Sequence, residues 1–473
     1  MKEKLKGKIN IENILCLFII ICPFLDILSF GFRNIFNTNL SPSTFLRPVI
    51  TIAVIIYLFF KKDKKFKLYT FLGFLVFAIY GVIHLYLFEK VKTGSSYSNI
   101  IHEAQYIVNY SFMILNLFLY IYVFQSKNTD KLKKSILYSA CIYIVSIYLA
   151  IITHTSSYTY WEEQMGYKGW LESGNSTGAI FLLTMFIYIN LIKDKKYRKI
   201  VILLLVLVGI FLIFLIGTRV GLLGFILVLA IYIIVEVFYS LLHNEKINKK
   251  YVAIGGISII IIGITVILFG STTLQRRKHL KDIESDIIDE SLNGNAHITG
   301  DLLDIKNKID KNELEEGYMG EAEKQSILDL YNIANKMNIT NNDYRMQQLI
   351  YNFVLVKNQK NLSLILFGNG YNANFYELVF EMEIPAFLCN FGILGFCLYF
   401  VPFLSIFVYG MWIGIKNIKK IDDEYIMLEL GSGFTFALSF FSGYTFFNSS
   451  TMIIIVVINA LLINKIYNLK KEN

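Results

Sequence analysis

Charged residues are scarce in this chain. Asp, Glu, Lys and Arg make up 17% of its 473 residues, whereas soluble proteins carry about 25%. Hydrophobic residues make up 55%, and the mean hydropathy is +0.52. Apolar windows of about 20 residues recur along the chain, which is the length a helix needs to cross a bilayer. The composition predicts an all-α polytopic membrane protein and excludes a β-barrel, whose strands would be short and alternating.

Cysteine and proline are also rare, with five of each. All five cysteines lie in apolar runs and have no CxxC or zinc-like spacing, so neither a disulfide framework nor a metal site is predicted. No Walker sequence, Ser/His/Asp motif or DxD-type motif stands out. The sequence therefore predicts no cofactor and argues against nucleotide-sugar or ATP chemistry.

The net charge of +9 does not indicate nucleic-acid binding, because the basic residues form short clusters between apolar runs. Clusters at such places indicate which loops face the cytoplasm. We expect about twelve transmembrane helices, at 12–31, 46–60, 68–88, 104–124, 135–153, 176–192, 200–217, 219–241, 251–270, 384–413, 425–444 and 449–465. With a cytoplasmic N-terminus, every short loop obeys the positive-inside rule. Both termini would then be cytoplasmic, in a protein of the plasma membrane.

The chain divides into three predicted segments. Residues 1–270 would form transmembrane helices 1–9, residues 271–378 an extracytoplasmic loop, and residues 379–473 helices 10–12. Within the long loop, residues 324–337 and 344–356 show apolar residues at helical spacing. We therefore expect a helical cap on the outer face.

Five arginines outside the predicted inner loops are candidate phosphate ligands, because a guanidinium fork matches phosphate oxygens. Arg219 lies between glycines in GTRVGLLG, at the outer junction of the seventh and eighth predicted helices, where it could also serve as a snorkelling anchor. Arg345 lies on an apolar-patterned helix of the loop. Arg47 lies near an outer helix end, and Arg276 and Arg277 form a pair that often marks a solvated face or a headgroup contact.

Two carboxylates, Glu381 and Glu383, lie where the long loop returns to apolar sequence, a place where acidic residues are usually functional. On a helix they would point about 200° apart, so they cannot form the paired acids of a glycosidase. One would face a cavity as a general base, and the other would contact an arginine or the helix start. The glycines of the preceding turn, Gly368 and Gly370, are candidate substrate contacts, although a tight turn alone also explains them.

Weaker candidates lie at other predicted outer helix ends. Asp26 could mark a helix break after Pro23 or pair with an outer arginine. His84, His102 and His154 have no ligand spacing, and interfacial or hydrogen-bonded roles are favoured for them. Aromatic residues of the polar segment 153–175 are typical interfacial anchors, with sugar stacking as the alternative.

Three motifs carry a resemblance to a known superfamily. They are LIGTRVGLLG at 215–224, FGNGY at 367–371 and VFEMEIPAFLCNFGILGF at 379–396, with a long outer loop late in the chain. In this pattern the chain resembles the O-antigen polymerase/ligase superfamily, and most closely its Wzy-like polysaccharide polymerases. Glu381 lies eleven residues before Gly392, at the position where many members have a histidine. Arg219 and Arg345 match the arginines of that pattern.

The resemblance implies a GT-C-like glycosyltransferase architecture and a function. Its substrates would be oligosaccharides on undecaprenyl diphosphate, at the outer leaflet of the lipid bilayer. A hydroxyl of one glycan would attack the anomeric carbon of another and expel the lipid diphosphate without a metal. Arg219 and Arg345 would hold the diphosphate, Glu381 would orient or deprotonate the hydroxyl, and flippase and chain-length regulator proteins would be partners.

Two other functions compete with a polymerase. A ligase of the same superfamily would transfer finished glycan to an acceptor, and its loss would leave long chains on the carrier instead of single repeats. A flippase of lipid-linked oligosaccharides belongs to another class, in which internal repeats and broken helices at the membrane midplane are usual. The predicted outer cap and the charges near the outer face favour surface chemistry.

Overall fold

The computed structural model describes residues 10–36, 41–62, 64–91, 99–243, 255–256, 260, 263–264, 270–279, 301–315, 318–340, 343–371 and 380–471. Within these ranges the regular secondary structure is helical apart from one antiparallel hairpin. The first eight helices are α1 Ile11–Phe36, α2 Pro42–Lys61, α3 Lys64–Val91, α4 Ile100–Phe124, α5 Asp130–Ile152, α6 Gly174–Tyr188, α7 Arg198–Ile210 and α8 Arg219–Leu242. The later helices are α9 Asp301–Asp310, α10 Glu321–Met337, α11 Tyr344–Asn358, α12 Leu362–Phe367, α13 Glu383–Tyr399, α14 Val401–Lys416, α15 Asp423–Phe441 and α16 Ser449–Lys471. The strands are β1 Ser157–Tyr160 and β2 Met165–Gly169.

Nine helices of the described part are long and apolar enough to cross a membrane, and the bent pair α13 and α14 makes a tenth. The predicted multi-pass, all-helical plan is thus confirmed, whereas the number twelve is not. The predicted span 251–270 lies largely outside the described residues. The predicted span 425–444 is the helix α15, which carries acidic residues at 423, 424 and 429 and is not among the nine.

The chain forms two compact units, each built from segments distant in sequence. The first unit contains Met1–Leu58, Phe112–His279 and Phe403–Asn473, and the second contains Phe59–Ser111 and Leu280–Pro402. The three predicted segments, which follow chain order, remain a prediction.

Helix α6 is the centre of the first unit. It contacts α5, α8, α15 and α16, and almost every one of its residues is buried. A helix that is apolar on all sides is stable only when other elements surround it, and α6 has no polar face to offer. Its N-terminus is capped by Ser173, whose side chain accepts a hydrogen bond from the Ser176 N–H. The polar segment before it folds as the β1–β2 hairpin, in which Tyr158 pairs with Tyr167.

The second unit contains a small helical core formed by α9, α10 and α11. The two stretches predicted to be helical, 324–337 and 344–356, lie within α10 and α11. The buried residues of this core are Met319, Ile327, Leu330, Tyr351 and Leu355. Its location outside the membrane stays a prediction.

The predicted continuous span 384–413 is interrupted. Helix α13 has a non-helical residue at Gly392, with φ 66° and ψ −175°, and α14 follows at an angle of 46°. Pro402 lies at the second position of α14, where its missing N–H cannot continue the hydrogen bonding of α13. The interruption at Gly392 has a different cause, which lies in the candidate site.

Candidate functional site

The break in α13 leaves backbone carbonyl groups without their helical partners. Gly392 has a positive φ, a conformation that favours glycine, and it disrupts the hydrogen bonds that the carbonyls of Cys389, Asn390 and Phe391 would accept within a continuous helix. Buried carbonyl groups without donors are costly, above all in an apolar environment. Other parts of the second unit must therefore supply donors.

The turn at residues 367–371, here called the docking turn, supplies two of them. The N–H of Asn369 donates to the first of the three carbonyls at 2.9 Å, and the N–H of Gly370 donates to the second at 2.8 Å. The hydroxyl of Tyr80, on α3, donates to the third at 2.7 Å. The FGNGY and GILG motifs are thus two halves of one packed arrangement.

The glycines of the docking turn allow this close approach. Gly368 has φ 84°, and a Cβ atom there would lie 2.1 Å from the backbone oxygen of Asn390. A Cβ on Gly370 would lie 2.4 Å from the ring of Phe88. Both positions therefore exclude a side chain. This contact explains the glycines structurally, and their predicted contact with substrate remains a prediction.

A buried pair of ionisable residues holds the same turn. Nδ1–H of His84 donates to the carbonyl oxygen of Phe367 at 2.6 Å, and Nε2 lies 2.7 Å from Oε1 of Glu103. Oε2 of Glu103 accepts the backbone N–H of Tyr371 at 2.9 Å. The hydrogen-bonded role predicted for His84 is confirmed. Glu103 was missed, although an acidic residue at the start of a predicted span was a usable signal.

Arg345 and Glu381 form an ion pair at the surface of the second unit. Nε of Arg345 lies 3.0 Å from Oε2 of Glu381, and the two side chains are 39% and 32% exposed. Helix α11 also carries Gln348, which lies one turn beyond Arg345 on the same face and accepts the backbone N–H of Glu381 at 3.1 Å. Glu381 is thus held at both its backbone and its carboxylate, while the side chains of Glu381 and Arg345 remain partly exposed.

Glu381 and Glu383 do not share a helix. Glu381 precedes α13, Met382 is the N-cap, and Glu383 is the first helical residue, with no exposed surface. The expected 200° divergence on a helix is therefore wrong, because the helix begins only at the second carboxylate. A negative charge at a helix N-terminus is favoured by the backbone dipole, so the position of Glu383 at the start of α13 has a structural explanation.

Arg219 lies in the first unit, at the N-terminus of α8, and is exposed. Thr218 caps this helix by accepting the Gly221 N–H at 3.1 Å. The hydroxyl of Thr273 donates to the backbone oxygen of Thr218 at 3.3 Å, and Thr272 donates to that of Phe214. The turn before Arg219 is thus fixed, whereas its side chain reaches the surface beside a helix N-terminus, a favourable place for an anion.

Arg276 is bound within the first unit. Its guanidinium makes two hydrogen bonds to Glu163, at 2.6 and 3.2 Å, and lies 3.5 Å from the ring centre of Tyr160 on the hairpin. Burial raises the pKa of Tyr160, and the positive charges of Arg276 and Arg219 oppose that shift. Arg219 therefore lies near this cluster. Arg277 is exposed.

Arg47 is buried in the first unit. It pairs with Asp26 at 2.7 Å, and it also donates to Ser449 and to the backbone oxygen of Cys22. Asp26 thus pairs with an arginine, one of its two predicted roles, whereas α1 continues through Pro23 without a break. The outer location of Arg47 remains a prediction. Most of the donors of Arg47 are used inside the protein, and its predicted contact with substrate is not tested by this geometry.

The candidate residues fall into separate groups. The second unit contains Glu381, Glu383, Arg345 and both turn glycines, all around α11 and α13. The first unit contains Arg219, Arg276, Arg277 and Arg47. Among the described residues, no three His, Cys, Asp or Glu side chains come close enough to hold a metal ion.

These features define a class: a multi-pass helical membrane protein with an accessible arginine–carboxylate pair at the surface of one unit. The chain matches the family of O-antigen ligase-like membrane proteins over residues 8–471, and it belongs to that family. The superfamily indicated by the sequence motifs is thereby confirmed. The protein is a membrane enzyme of polysaccharide assembly. No curated protein matches the chain.

Proposed function

We propose that this protein is a membrane glycosyltransferase that polymerises oligosaccharide repeat units carried on undecaprenyl diphosphate, at the outer face of the plasma membrane. The observation that carries the proposal is the Arg345–Glu381 pair, which remains about one third exposed. An ion pair so exposed adds little to stability, so folding alone does not account for the bonds that fix Glu381 at its backbone and its carboxylate.

The pair has the groups that glycosyl transfer needs. Ionised Glu381 accepts the proton of the acceptor hydroxyl as its oxygen bonds to the anomeric carbon of the donor. The bond from that carbon to the diphosphate oxygen breaks, and the electron pair leaves with the lipid diphosphate. Arg345 orients the carboxylate through Nε and stabilises the developing negative charge.

Arg219 is proposed as a diphosphate ligand from its sequence position and its own surroundings. Its guanidinium is exposed at the N-terminus of α8, next to a capped turn. The dipole of that helix and the charge of the arginine both favour a phosphate there. Arg276, whose guanidinium is occupied by Glu163, would support the hairpin beside it.

Replacement of the proposed residues tests the reaction. Glu381→Gln, Arg345→Ala and Arg219→Ala are each expected to leave lipid-linked single repeats unpolymerised in a strain that lacks the wild-type copy. Glu321→Gln is the matched control, because Glu321 is a 90% exposed carboxylate in the same unit as Glu381. Wild-type chain lengths in Glu381→Gln and Arg345→Ala, at normal protein levels, would contradict the proposal.

A ligase is the second candidate, and the family description favours it. The same ion pair would then transfer finished glycan to an acceptor. The glycan on the carrier separates the two functions, because the inactive variants would accumulate long chains if the protein is a ligase. Extension in proteoliposomes with all substrate on the outer side would in turn exclude a flippase.

A further inference from the structure

We infer that His84 and Glu103 are positioning residues for the Arg345–Glu381 site. They hold the docking turn, residues 367–371, in place. This turn is linked to the segments that carry Arg345 and Glu381. The inference rests on the proposed function for its catalytic consequence, whereas its structural part is independent of that function.

The pair binds both ends of the docking turn. His84 on α3 holds the carbonyl of Phe367, and Glu103 on α4 holds the N–H of Tyr371. The two side chains are joined to each other at 2.7 Å and are 0% and 1% exposed. Two helices that are consecutive in the chain thus grip a segment more than 260 residues further on.

The hydrogen bonds determine how many protons the pair carries. Nδ1 of His84 must hold a proton, because the Phe367 carbonyl is only an acceptor. One further proton lies between Nε2 and Oε1 of Glu103, since a bond without it would join two acceptors. The pair is therefore net neutral, whether it is imidazolium with carboxylate or imidazole with carboxylic acid. A neutral pair of this kind is suited to burial.

Aromatic packing encloses the pair and the turn. The ring of Tyr80 stacks on His84 with centres 5.7 Å apart, and Phe391 of α13 lies 5.5 Å from the same ring. Tyr371 stacks on Tyr106 at 4.0 Å. The hydroxyls of Tyr110 on α4 and Tyr371 lie 3.0 Å apart and form a further hydrogen bond to the turn. The His84–Glu103 pair links both helices to the turn and to each other.

The turn connects the pair to the site in two directions. On its N-terminal side the turn continues into α12. Helix α12 begins after a three-residue connection from α11, the helix that carries Arg345. Through the bonds of Asn369 and Gly370 it fixes α13 at its break, and Glu381 precedes Met382, the N-cap of that helix. A shift of the turn would therefore move the two site residues relative to each other. Displacements of about 1 Å in an active site can reduce turnover by about a hundredfold.

Two substitutions at Glu103 separate the hydrogen bonds from the charge. In Glu103→Gln, the amide oxygen can accept the Tyr371 N–H while the amide N–H donates to neutral His84. Glu103→Leu has a similar size and loses both bonds. We expect Glu103→Gln to keep kcat within about twofold, and Glu103→Leu to lose at least about tenfold in kcat with little change in KM.

The position of the turn is measured separately by hydrogen exchange of the peptide that covers residues 367–371, in purified protein. We expect slow exchange in the wild type and in Glu103→Gln, and fast exchange in Glu103→Leu. Equal exchange and equal kcat in all three proteins would overturn the inference, as would equal damage in Glu103→Gln and Glu103→Leu. If the leucine variant does not fold, fast exchange of this peptide in the wild type still overturns it.

The two proposals fail in different ways. If purified wild-type protein transfers no glycan while exchange follows the expected order, the proposed function is wrong and the role of the pair in holding the turn stands. If the wild type is active and Glu103→Leu is equally active with a folded structure, the proposed function stands and the positioning role is wrong.

Discussion

Individual residues differ in how far the sequence reveals them. Arg345 and Glu381 could be chosen in advance, because each is an ionisable residue in an unusual place, and the structure joins them at 3.0 Å. Glu103 could not be paired with His84 in advance, since their contact depends on how α3 and α4 pack. The same limit applies to Arg47, whose burial against Asp26 and Ser449 is a tertiary property. Single residues are predictable when their chemistry is local and unpredictable when a distant partner determines it.

Gly368 provides a test at the residue scale. Gly368→Ala is expected to lower the free energy of unfolding by at least about 2 kcal/mol, because φ is 84° and the new Cβ would lie 2.1 Å from a backbone oxygen. Gly73→Ala is the matched control, since a Cβ at Gly73 on α3 meets nothing within 4 Å. Unfolding of both proteins in detergent, followed by circular dichroism, measures the difference. A Gly368→Ala protein as stable as the control would show that the turn does not pack as described.

Among the elements, helices are more predictable than their interruptions. The hydrophobic pattern located all nine long spans of the described residues, eight before the predicted loop and one after it, because about twenty apolar residues outweigh local preferences. The predicted span 384–413 begins one residue after the observed start of α13 at Glu383, whereas the break at Gly392 was missed. The break depends on donors that the local sequence does not contain, because the docking turn and Tyr80, which come from elsewhere in the chain, bind the carbonyls beside Gly392.

Tyr80 tests this account at the scale of the element. Tyr80→Phe removes the hydroxyl that donates to the Phe391 carbonyl, and we expect a loss of about 1–3 kcal/mol because a buried acceptor is left unpaired. Tyr69→Phe, on the same helix but 63% exposed, should change stability by no more than about 0.5 kcal/mol. Thermal unfolding of the two purified variants provides the comparison. An equal effect of both substitutions would mean that the carbonyl has no need of the Tyr80 hydroxyl.

For the whole molecule, the sequence predicts the membrane class well and the grouping of the helices poorly. Composition and the length of the apolar runs suffice to predict the class, because every helix that crosses a bilayer needs such a run. The two compact units each combine segments separated by more than a hundred residues. Such long-range grouping depends on which helix faces match, as the burial of α6 among four other helices shows. The hydropathy pattern of the sequence does not show which helix faces pack against each other.

The predicted topology is tested on intact cells. In a chain whose five cysteines are replaced, single cysteines at Trp161 and Lys311 should react with a membrane-impermeant maleimide. Cysteines at Lys195 and Lys419, which lie in loops predicted to be cytoplasmic, should react only after permeabilisation. All four positions are exposed, so accessibility within the protein does not limit the reaction. Labelling of the cysteines at positions 195 and 419 in intact cells would show that the predicted orientation is wrong.

The broken helix α13 also has a consequence for how the protein is made. Its residues are synthesised after the docking turn, yet the break is stable only once that turn has returned to it. In a bilayer without the turn, the carbonyls of Cys389 and Asn390 would lack donors at a cost of several kcal/mol each, so the newly inserted segment is more stable as a continuous helix. The break at Gly392 therefore belongs to a late step of biogenesis, after the docking turn has packed against α13. A ribosome-bound intermediate that ends shortly after α13 would hold this helix unbroken.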